Sequence, residues 1–426
     1  MINNKLDRKC FEASLGKAVL PEFLSRRVER FYRERVRDTW GGRHILHGRQ
    51  PGPSAIHVAS NDYLMLSRHP TILQATADTL MHEGNGLLMS GIFLHGDNPQ
   101  LMLEQRLARH MQAEAGVLCQ SGYCANTGLI QAIADDNVPV YVDMLAHMSL
   151  WEGIRSAGAQ AVTFQHNNPD HLERQIVRNG PGVILVDTVY STNGSICPLR
   201  EITDISARRN CLVVADESHA LGTHGPNGEG LVVELGLADQ IQFRTASLAK
   251  AFAGRAGFIA CAARFSDYFK FESLPAIFSS TLLPHEVAGL SATLDIIVRE
   301  GWRRDRLHAN SAYLRKGLDR LGYNLNGSES QIVSLEAGSE QTTMVLRDAL
   351  ESRGIFGSVF CAPATPKQRA MVRLSLHCSL TQSELDRILE VCEAIRPEVG
   401  FDQWPSTRRK NQDARTRTSH PDVMTV

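Results

Sequence analysis

The sequence predicts an α/β protein in which helices cover both faces of a mainly parallel sheet. Short apolar runs recur between residues 138 and 262, and helix-like segments such as HLERQIVRN and ITDISARRN separate most of them. Strands that are apolar throughout, rather than alternating, are typical of a parallel sheet buried on both faces. The predicted strands are VPVYVD (138–143), QAVTF (160–164), GVILVD (182–187), CLVVAD (211–216) and GFIACA (257–262).

The chain opens with a predicted N-terminal helical segment, to which we assign residues 1–57. FLSRRVERFYRERVRDTW is amphipathic and heavily charged, and the Gly/Pro-rich stretch GGRHILHGRQPGPSA breaks it. The large domain is then predicted over 58–284, beginning near SNDYLMLSRHP. Within it, LMLEQRLARHMQ places Leu103, Leu107 and Met111 on one helical face, because these residues are four apart.

The character of the sequence changes after Pro284. A long helical stretch leads to two strand candidates, SQIVSLEA and MVRLSLH, which predicted helices at 340–353 and 382–396 flank. This order predicts a smaller α+β domain over 285–400. The tail, residues 401–426, is polar and aperiodic and is predicted to be disordered.

Composition excludes several classes of protein. The chain has 45 Lys and Arg against 46 Asp and Glu, so no global positive field attracts nucleic acid. Its nine cysteines are scattered without zinc spacing, and we expect no metal site and no disulfide framework. The N-terminus lacks the apolar stretch of a secretory signal, and no apolar run approaches the ~20 residues of a membrane helix. We expect a soluble, cytoplasmic protein with no membrane insertion.

Polar residues gather at the predicted carboxyl ends of the strands, where open α/β sheets bind ligands. Asp216 ends one strand with His219 close behind it, His147 follows another, and Lys250 precedes a Gly-rich turn. Each residue alone has an ordinary interpretation. A lone Lys is usually solvated, a strand-end Asp often caps a helix, and the D-x-x-H pair has no third metal ligand at useful spacing.

The combination is more informative than its members. Pyridoxal phosphate needs a lysine for its imine, a carboxylate that keeps the ring nitrogen protonated, a flat group against the ring and donors for the phosphate. This chain supplies those groups within one α/β frame. They are Lys250, Asp216, His147, Ser121, Gly122, Tyr123 and Ser247.

Seven ordered motifs resemble those of the α-oxoamine synthases, a pyridoxal-phosphate-dependent family with the type I aminotransferase fold. The resemblance covers residues 58 to 396 and is strongest to the CqsA-type branch, which makes α-hydroxyketone quorum-sensing signals in bacteria. The motifs are SNDYLMLSRHP, QSGYCANTGLI, DMLAHMSLWEG, VDTVYSTNGSICPL, VADESHALGTHG, SLAKAFAGRAG and FSSTLLP.

The resemblance implies roles for the cofactor residues. It implies that Lys250 holds the cofactor and transfers a proton, that Asp216 pairs with the ring nitrogen, and that His219 lies near the ring hydroxyl. It implies that His147 stacks on the ring. The same resemblance implies phosphate or cofactor contacts for Ser121, Gly122, Tyr123, Ser191 and Ser247.

The resemblance also implies contacts beyond one subunit's cofactor. Ser280 and Thr281 match a motif that reaches the phosphate of the partner subunit, so a homodimer with shared active sites is expected. Arg373 matches the arginine that pairs with the amino-acid carboxylate, a task that suits its fork of donors. Asn61 is a further candidate for contact with substrate.

The implied reaction is a decarboxylative condensation of an amino acid with an acyl-CoA. A medium-chain acyl-CoA and either 2-aminobutyrate or S-adenosylmethionine are the implied substrates. One stretch departs from most of the family, because GNGLLMSGIFLHGDNPQ (84–100) is apolar where relatives are polar. That departure disfavours the small substrates of those relatives and fits a pocket for an aliphatic chain, although buried core residues have the same appearance.

Three alternatives remain to be compared with this interpretation. The nearest is another α-oxoamine synthase, of the 8-amino-7-oxononanoate synthase or 2-amino-3-ketobutyrate CoA ligase type. A non-catalytic sensor with this fold usually carries a DNA-binding domain, and residues 1–55 show no helix-turn-helix or basic patch. A nicotinamide dehydrogenase is disfavoured, because no G-x-G-x-x-G follows an early strand.

Overall fold

The computed structural model describes residues 20–325 and 327–411, which form a larger α/β unit and a smaller α+β unit. A π-helical segment, Phe31–Thr39, continues the first helix. In chain order the elements are α1 (Glu22–Arg30), β1 (Ile56–His57), α2 (Pro70–Glu83), α3 (Pro99–His110), β2 (Ala115–Cys119), α4 (Gly122–Ile133), β3 (Pro139–Asp143), α5 (Met148–Ser156), β4 (Gln160–Phe164), α6 (Pro169–Asn179), β5 (Val183–Asp187), α7 (Leu199–Arg208), β6 (Leu212–Asp216), α8 (Leu231–Glu234), β7 (Phe243–Ser247), β8 (Gly257–Cys261), α9 (Ala263–Glu272), α10 (Leu274–Ile277), α11 (Pro284–Arg299), α12 (Trp302–Arg320), β9 (Ile332–Gly338), α13 (Glu340–Glu351), β10 (Ile355–Phe356), β11 (Ser358–Phe360), β12 (Ala370–Ser375) and α14 (Gln382–Ala394).

The larger unit is built on a seven-stranded sheet in the order β2-β8-β7-β6-β5-β3-β4. Strands β3 to β7 run parallel, and β8 is antiparallel to both of its neighbours, β2 and β7. The predicted fold, a mainly parallel sheet covered by helices, is therefore confirmed. All five predicted strands are present.

Two strands of this sheet were not predicted. Strand β2 reads AGVLC and contains a glycine, and β7 reads FRTAS, which is too polar to resemble a buried strand. The structure explains β7 through Arg244, whose side chain is 2% exposed and donates to the backbone carbonyls of Met111 and Gln112. A buried polar strand is possible here because both terminal nitrogens of the guanidinium donate to backbone carbonyls.

The parallel strands bring three carboxylates to one edge of the sheet. Asp143, Asp187 and Asp216 are the last residues of β3, β5 and β6, and each is buried. Asp187 and Asp216 lie opposite each other in the strand register. Since the carboxyl ends of parallel strands meet at one edge, strand-end residues far apart in sequence become neighbours.

The smaller unit has its own sheet and core. Strands β9, β12 and β11 form an antiparallel sheet, and β1 pairs in parallel with β10. Helices α13 and α14 contribute Leu346, Ile388 and Val391 to a core that also contains Leu335 and Leu374. The two predicted strands and two predicted flanking helices of this region are present.

The packing moves the expected domain boundary. Helix α11, expected to open the second domain at residue 285, buries Leu290 and Ile297 in the core of the larger unit. The transition falls inside α12, whose Leu307 belongs to the first core and whose Leu314 belongs to the second. Ile56, expected in the N-terminal segment, packs in the smaller unit because β1 pairs there.

The expectation of a disordered tail from residue 401 is wrong for residues 401–411. Phe401 and Trp404 are each 2% exposed and pack on Tyr323 in the smaller unit's core. Arg409 then pairs with the buried carboxylate of Glu336. Two aromatic side chains outweigh the polar composition, since each buries a large apolar area. Residues 412–426, like residues 1–19 of the N-terminal segment, lie outside the described part of the chain.

Within the described ranges, no helix combines the length and apolar character needed to cross a bilayer.

Candidate active site

The carboxylate of Asp216 forms the floor of a cavity at the strand ends. It is 4% exposed, and both oxygens accept hydrogen bonds. Oδ1 accepts from the backbone N–H of Ser218 at 2.8 Å, and Oδ2 accepts from Nδ2 of Asn126 at 2.6 Å. These two hydrogen bonds fix the orientation of the carboxylate at the end of β6.

Lys250 lies in the loop between β7 and β8, above the end of the sheet. Its side chain is partly buried, and its pKa is lowered, first by burial and then by the positive charge of Arg373. The opposite charge of Asp216 limits this shift. A lowered pKa increases the fraction of neutral amine, the form of lysine that acts as a nucleophile or base.

His147 caps the N-terminus of α5 and faces the cavity. Its Nδ1 lies 2.7 Å from the hydroxyl of Ser149 and accepts from the backbone N–H of the same residue at 3.3 Å. The surrounding protein lowers its pKa by desolvation, the charge of Lys250 lowers it further, and Asp216 opposes the shift. A neutral imidazole on the cavity wall can lie against an aromatic ring.

The N-terminus of α4 supplies a site for an anion. Ser121 caps this helix by accepting from the backbone N–H of Cys124 at 3.1 Å, and the free N–H groups of the first turn point away from the helix. Gly122 is required by close packing, because a Cβ there would lie 2.5 Å from Cβ of Ser247. Ser247 thereby lies directly against the first turn of α4.

His219 is held from below by Tyr63. The Tyr63 hydroxyl and Nδ1 of His219 are 2.6 Å apart and share a hydrogen bond. Burial raises the pKa of Tyr63 to about 12 and lowers that of His219 well below its usual value, where the charges of Lys250 and Arg373 add to the effect. Both rings are therefore neutral in the folded protein at pH 7.

Arg373, on β12 of the smaller unit, presents a buried cation to the same space. It is 4% exposed and donates to the backbone carbonyl of Ser191 and to Oδ1 of Asn61, each at 2.8 Å. Its plane lies over the ring of Phe360, 4.5 Å from the centroid. Among the described residues no carboxylate pairs with it, and its Nε has no partner. A buried guanidinium in this state is a site for an anionic ligand.

Two adjoining cavities contain these groups and share His147, His219 and Lys250. The smaller has a volume of about 210 Å³ and the larger about 430 Å³. The predicted residues in the smaller cavity are Ser121, Gly122, Tyr123, His147, Asp216, His219, Ser247 and Lys250. The larger cavity adds the predicted residues Asn61, Ser191 and Arg373.

Ser280 and Thr281 do not line either cavity. Instead they pair with the 84–100 segment, where the backbone N–H of Thr281 donates to the carbonyl of Met89 at 2.7 Å. The apolar residues of that segment are neither in a core nor in these cavities, since Leu87 and Phe93 are 72% and 59% exposed. Within one chain this segment therefore forms no wall around Lys250, so the acyl-chain interpretation of residues 84–100 gains no support.

Several residues of the site were not among the sequence candidates. The smaller cavity also includes Asn126, Ser149, Asp187 and Ser218, and Tyr63 supports it from below. Burial and the neighbouring Asp216 raise the pKa of Asp187 well above its usual value. Two signals were available, because Asp187 ends a predicted strand and Asn126 follows Gly122 by about one helical turn.

The donor set of the smaller cavity fits pyridoxal phosphate. A lysine amine with a lowered pKa, a carboxylate on the floor, a flat imidazole on the wall and a helix N-terminus with serines match the four parts of that cofactor. Among the described residues, no group of three His, Cys, Asp or Glu is arranged to hold a metal ion.

Fold and site together define a pyridoxal-phosphate-dependent enzyme of the type I fold. Residues 53–392 match the family model for aminotransferase class I and II. The chain shows 45% identity over 384 residues to the CAI-1 autoinducer synthase of Vibrio campbellii, covering 90% of this chain and 98% of that protein. It shows 30% identity to an 8-amino-7-oxononanoate synthase of Bacillus subtilis, over 81% of this chain and 88% of that one.

The chain belongs to the α-oxoamine synthases within that family, and it is a pyridoxal-phosphate-dependent acyltransferase. Solved structures agree on the fold. A serine palmitoyltransferase of S. paucimobilis superimposes with a TM-score of 0.80 at 23% identity, covering 89% of this chain and 98% of the other. An 8-amino-7-oxononanoate synthase of Francisella tularensis gives 0.72 at 22% identity, over 82% and 99%.

Proposed function

We propose that this enzyme condenses a medium-chain acyl-CoA with a small amino acid or S-adenosylmethionine, with loss of the amino acid's carboxyl group. The product is an α-aminoketone or enaminone that serves as precursor of an α-hydroxyketone quorum-sensing signal. The 45% identity to a CAI-1 autoinducer synthase over nearly the whole of both chains supports this assignment. The roles given below to individual residues belong to the same proposal.

The observation that carries the proposal is that Arg373 and Lys250 line the same cavity, together with apolar side chains. Arg373 offers a cation for the amino acid's carboxylate, and Lys250 lies in the same cavity to act on the carbon beside it. Met144, Met148 and Trp151 line part of the same cavity. Thioether and aromatic side chains adapt well to an aliphatic chain.

The bound cofactor supplies an electron-withdrawing ring that stabilises negative charge on the substrate's α-carbon. Asp216 keeps that ring protonated, because a buried carboxylate favours a neighbouring cation. The neutral Nζ of Lys250 would accept the α-proton of the amino acid. Arg373 holds the carboxylate, and His219 is positioned to donate to oxygen near the ring.

A second candidate, 8-amino-7-oxononanoate synthesis, is supported by relatives at 30% identity. Its product carries a terminal carboxylate, which needs its own counter-ion if it is buried. Among the residues that line the larger cavity, Lys250 and Arg373 are the only lysine and arginine, and both have other tasks. The remaining wall favours an uncharged chain.

We also propose a homodimer acting in the cytoplasm. Thr281 and Ser280 lie outside the cavities of their own chain, which supports a role toward a second subunit. All eight cysteines of the described residues are free thiols, which supports a reducing compartment.

The test is CoA release by the purified, cofactor-loaded enzyme. We expect release from decanoyl-CoA with 2-aminobutyrate or S-adenosylmethionine to exceed release from pimeloyl-CoA with alanine by at least tenfold in kcat/KM. Lys250→Ala is expected to abolish release and the visible absorption of lysine-bound cofactor. Lys316→Ala, on the exposed face of α12, serves as matched control. Faster CoA release from pimeloyl-CoA with alanine would favour the second candidate reaction. Absence of CoA release from either pair of substrates would contradict both candidate reactions.

A further inference from the structure

The carboxamide of Asn126 lies between the carboxylate of Asp216 and the hydroxyl of Ser149, which in turn contacts His147. Asn126 is on α4 and is 1% exposed. Its Nδ2 lies 2.6 Å from Oδ2 of Asp216 and 2.9 Å from the hydroxyl oxygen of Ser149. Its Oδ1 lies 2.6 Å from the hydroxyl of Thr245 on β7. One side chain thus joins two helices and two strands.

The chemistry of its partners determines the orientation of this amide. An ionised carboxylate can only accept hydrogen bonds, so the NH₂ group must face Asp216. The hydroxyl of Thr245 then donates to Oδ1, and the second N–H of Asn126 donates to Ser149. The amide therefore uses both of its N–H donors within the protein.

The orientation of Asn126 has a consequence for His147. Because the oxygen of Ser149 accepts from Asn126, the proton of its hydroxyl is free to be donated to Nδ1 of His147, 2.7 Å away. The backbone N–H of Ser149 points to the same nitrogen at 3.3 Å. Two donors at Nδ1 leave the imidazole proton on Nε2.

We propose that Asn126 is a positioning residue for both faces of the cofactor site. Through one N–H it orients the carboxylate of Asp216 toward the ring nitrogen, and through the other and Ser149 it sets the tautomer and plane of His147. The inference rests on the proposed use of pyridoxal phosphate at this site. It assigns the coupling of the two groups to a residue on α4 whose amide bonds to Asp216, Ser149 and Thr245.

A purely structural role predicts a different result. A buried asparagine that only satisfies backbone or side-chain groups lowers stability when it is lost, without changing the ring nitrogen. Asn310 is such a residue and is the matched control. It is 9% exposed, donates to the carbonyls of His377 and Leu380, and lies away from both cavities.

The test measures three properties of Asn126→Ala, Ser149→Ala and Asn310→Ala. They are the thermal stability of the cofactor-free protein, the dissociation constant of pyridoxal phosphate and the ¹⁵N signal of cofactor labelled at its ring nitrogen. Hydrogen bonds to charged groups contribute about 1.5–3 kcal/mol, so Asn126→Ala is expected to weaken cofactor binding at least about tenfold. Its ring-nitrogen signal is expected to move toward the unprotonated position.

Ser149→Ala and Asn310→Ala distinguish the effect of the hydrogen bond toward His147 from a general loss of stability. Ser149→Ala interrupts only the branch to His147, so we expect the wild-type ring-nitrogen signal and, in the CoA-release assay of the proposed function, a lowered kcat. Asn310→Ala is expected to lose stability and to keep wild-type cofactor affinity and signal. If Asn126→Ala behaves like Asn310→Ala, the inference is overturned.

A second variant covers a failure of Asn126→Ala to fold. Thr245→Val is nearly isosteric and removes only the donor that anchors Oδ1, so a two- to fivefold weaker cofactor affinity is expected, and unchanged affinity overturns the inference. Absence of visible lysine-bound cofactor in the wild type overturns the proposed function instead. The two failures are thus distinguishable.

Discussion

Replacement of Arg373 tests how the substrate is recognised. The guanidinium is 4% exposed, has no carboxylate partner among the described residues and is held in plane by the Ser191 carbonyl and Oδ1 of Asn61. Arg373→Leu keeps an apolar contact with Phe360 but removes the cation. Arg373→Lys keeps the charge and loses the planar fork that fits a carboxylate.

The expected magnitude follows from the bonds that the substrate loses. Two hydrogen bonds between charged partners contribute about 3–6 kcal/mol together, so KM for the amino acid is expected to rise at least about one-hundredfold in Arg373→Leu. We expect about tenfold in Arg373→Lys, since one charged contact is retained. The assay is CoA release against amino-acid concentration at saturating acyl-CoA.

The same measurement includes its controls. Affinity for pyridoxal phosphate is expected to change less than threefold in both variants, because Arg373 lines only the larger cavity. Arg369→Leu removes an arginine that pairs with Glu336, outside that cavity, and is expected to retain the wild-type KM. A KM within threefold of wild type in folded, cofactor-loaded Arg373→Leu would refute this account of substrate binding.

Three further substitutions test the packing around the site and the tail. Gly122→Ala places a Cβ 2.5 Å from Cβ of Ser247. Overpacking of this kind costs about 1–3 kcal/mol, so we expect roughly five- to one-hundredfold weaker cofactor binding in a fluorescence titration. Unchanged affinity would contradict the proposed contact of this helix turn with the cofactor. His224 has its pKa lowered to about 3 by burial. His224 therefore stays neutral in the folded state, whereas the unfolded state takes up a proton below pH 6.5. The free energy of unfolding consequently falls from that pH downward by up to about 1.4 kcal/mol per pH unit. Denaturant titrations at pH 7 and pH 5 are expected to show a smaller loss in His224→Asn and the wild-type loss in the exposed control His82→Asn. Trp404→Ala is expected to cost about 3–5 kcal/mol of folding free energy in the same titrations, and a loss below 1 kcal/mol contradicts the assignment of the tail to the core.

The predicted site residues that the structure brings together share a physical reason. Strands that are apolar throughout are recognisable one at a time, and parallel strands bring their carboxyl ends together whatever the order of the sheet. Asp216 and His147 could therefore be placed near each other without knowledge of the topology. Lys250 was a candidate only in combination with these residues, and Arg373 needed the motif resemblance, because nothing local distinguishes either from a surface cation.

The residues that were missed depend on partners distant in the chain. Asn126 is an unremarkable helical asparagine until β6, β7 and α5 place three polar groups around its amide. Strand β7 contains a buried arginine whose partners lie more than 130 positions earlier. Phe401 and Trp404 were hidden by the polar composition that surrounds them. In each case the decisive term is a tertiary contact that local propensity does not contain.

Because Arg373 belongs to the smaller unit, a substrate bound as proposed contacts both units at once. The carboxylate is proposed to bind a cation on β12 of the smaller unit, while the amine end is bound near Lys250 in the larger one. On this proposal, each productive complex joins the two cores through the bound substrate. Binding of the substrate then also stabilises the contact between the two units. A substrate analogue is therefore expected to raise the melting temperature of the whole chain. It is also expected to slow hydrogen exchange along α12, the helix common to both cores.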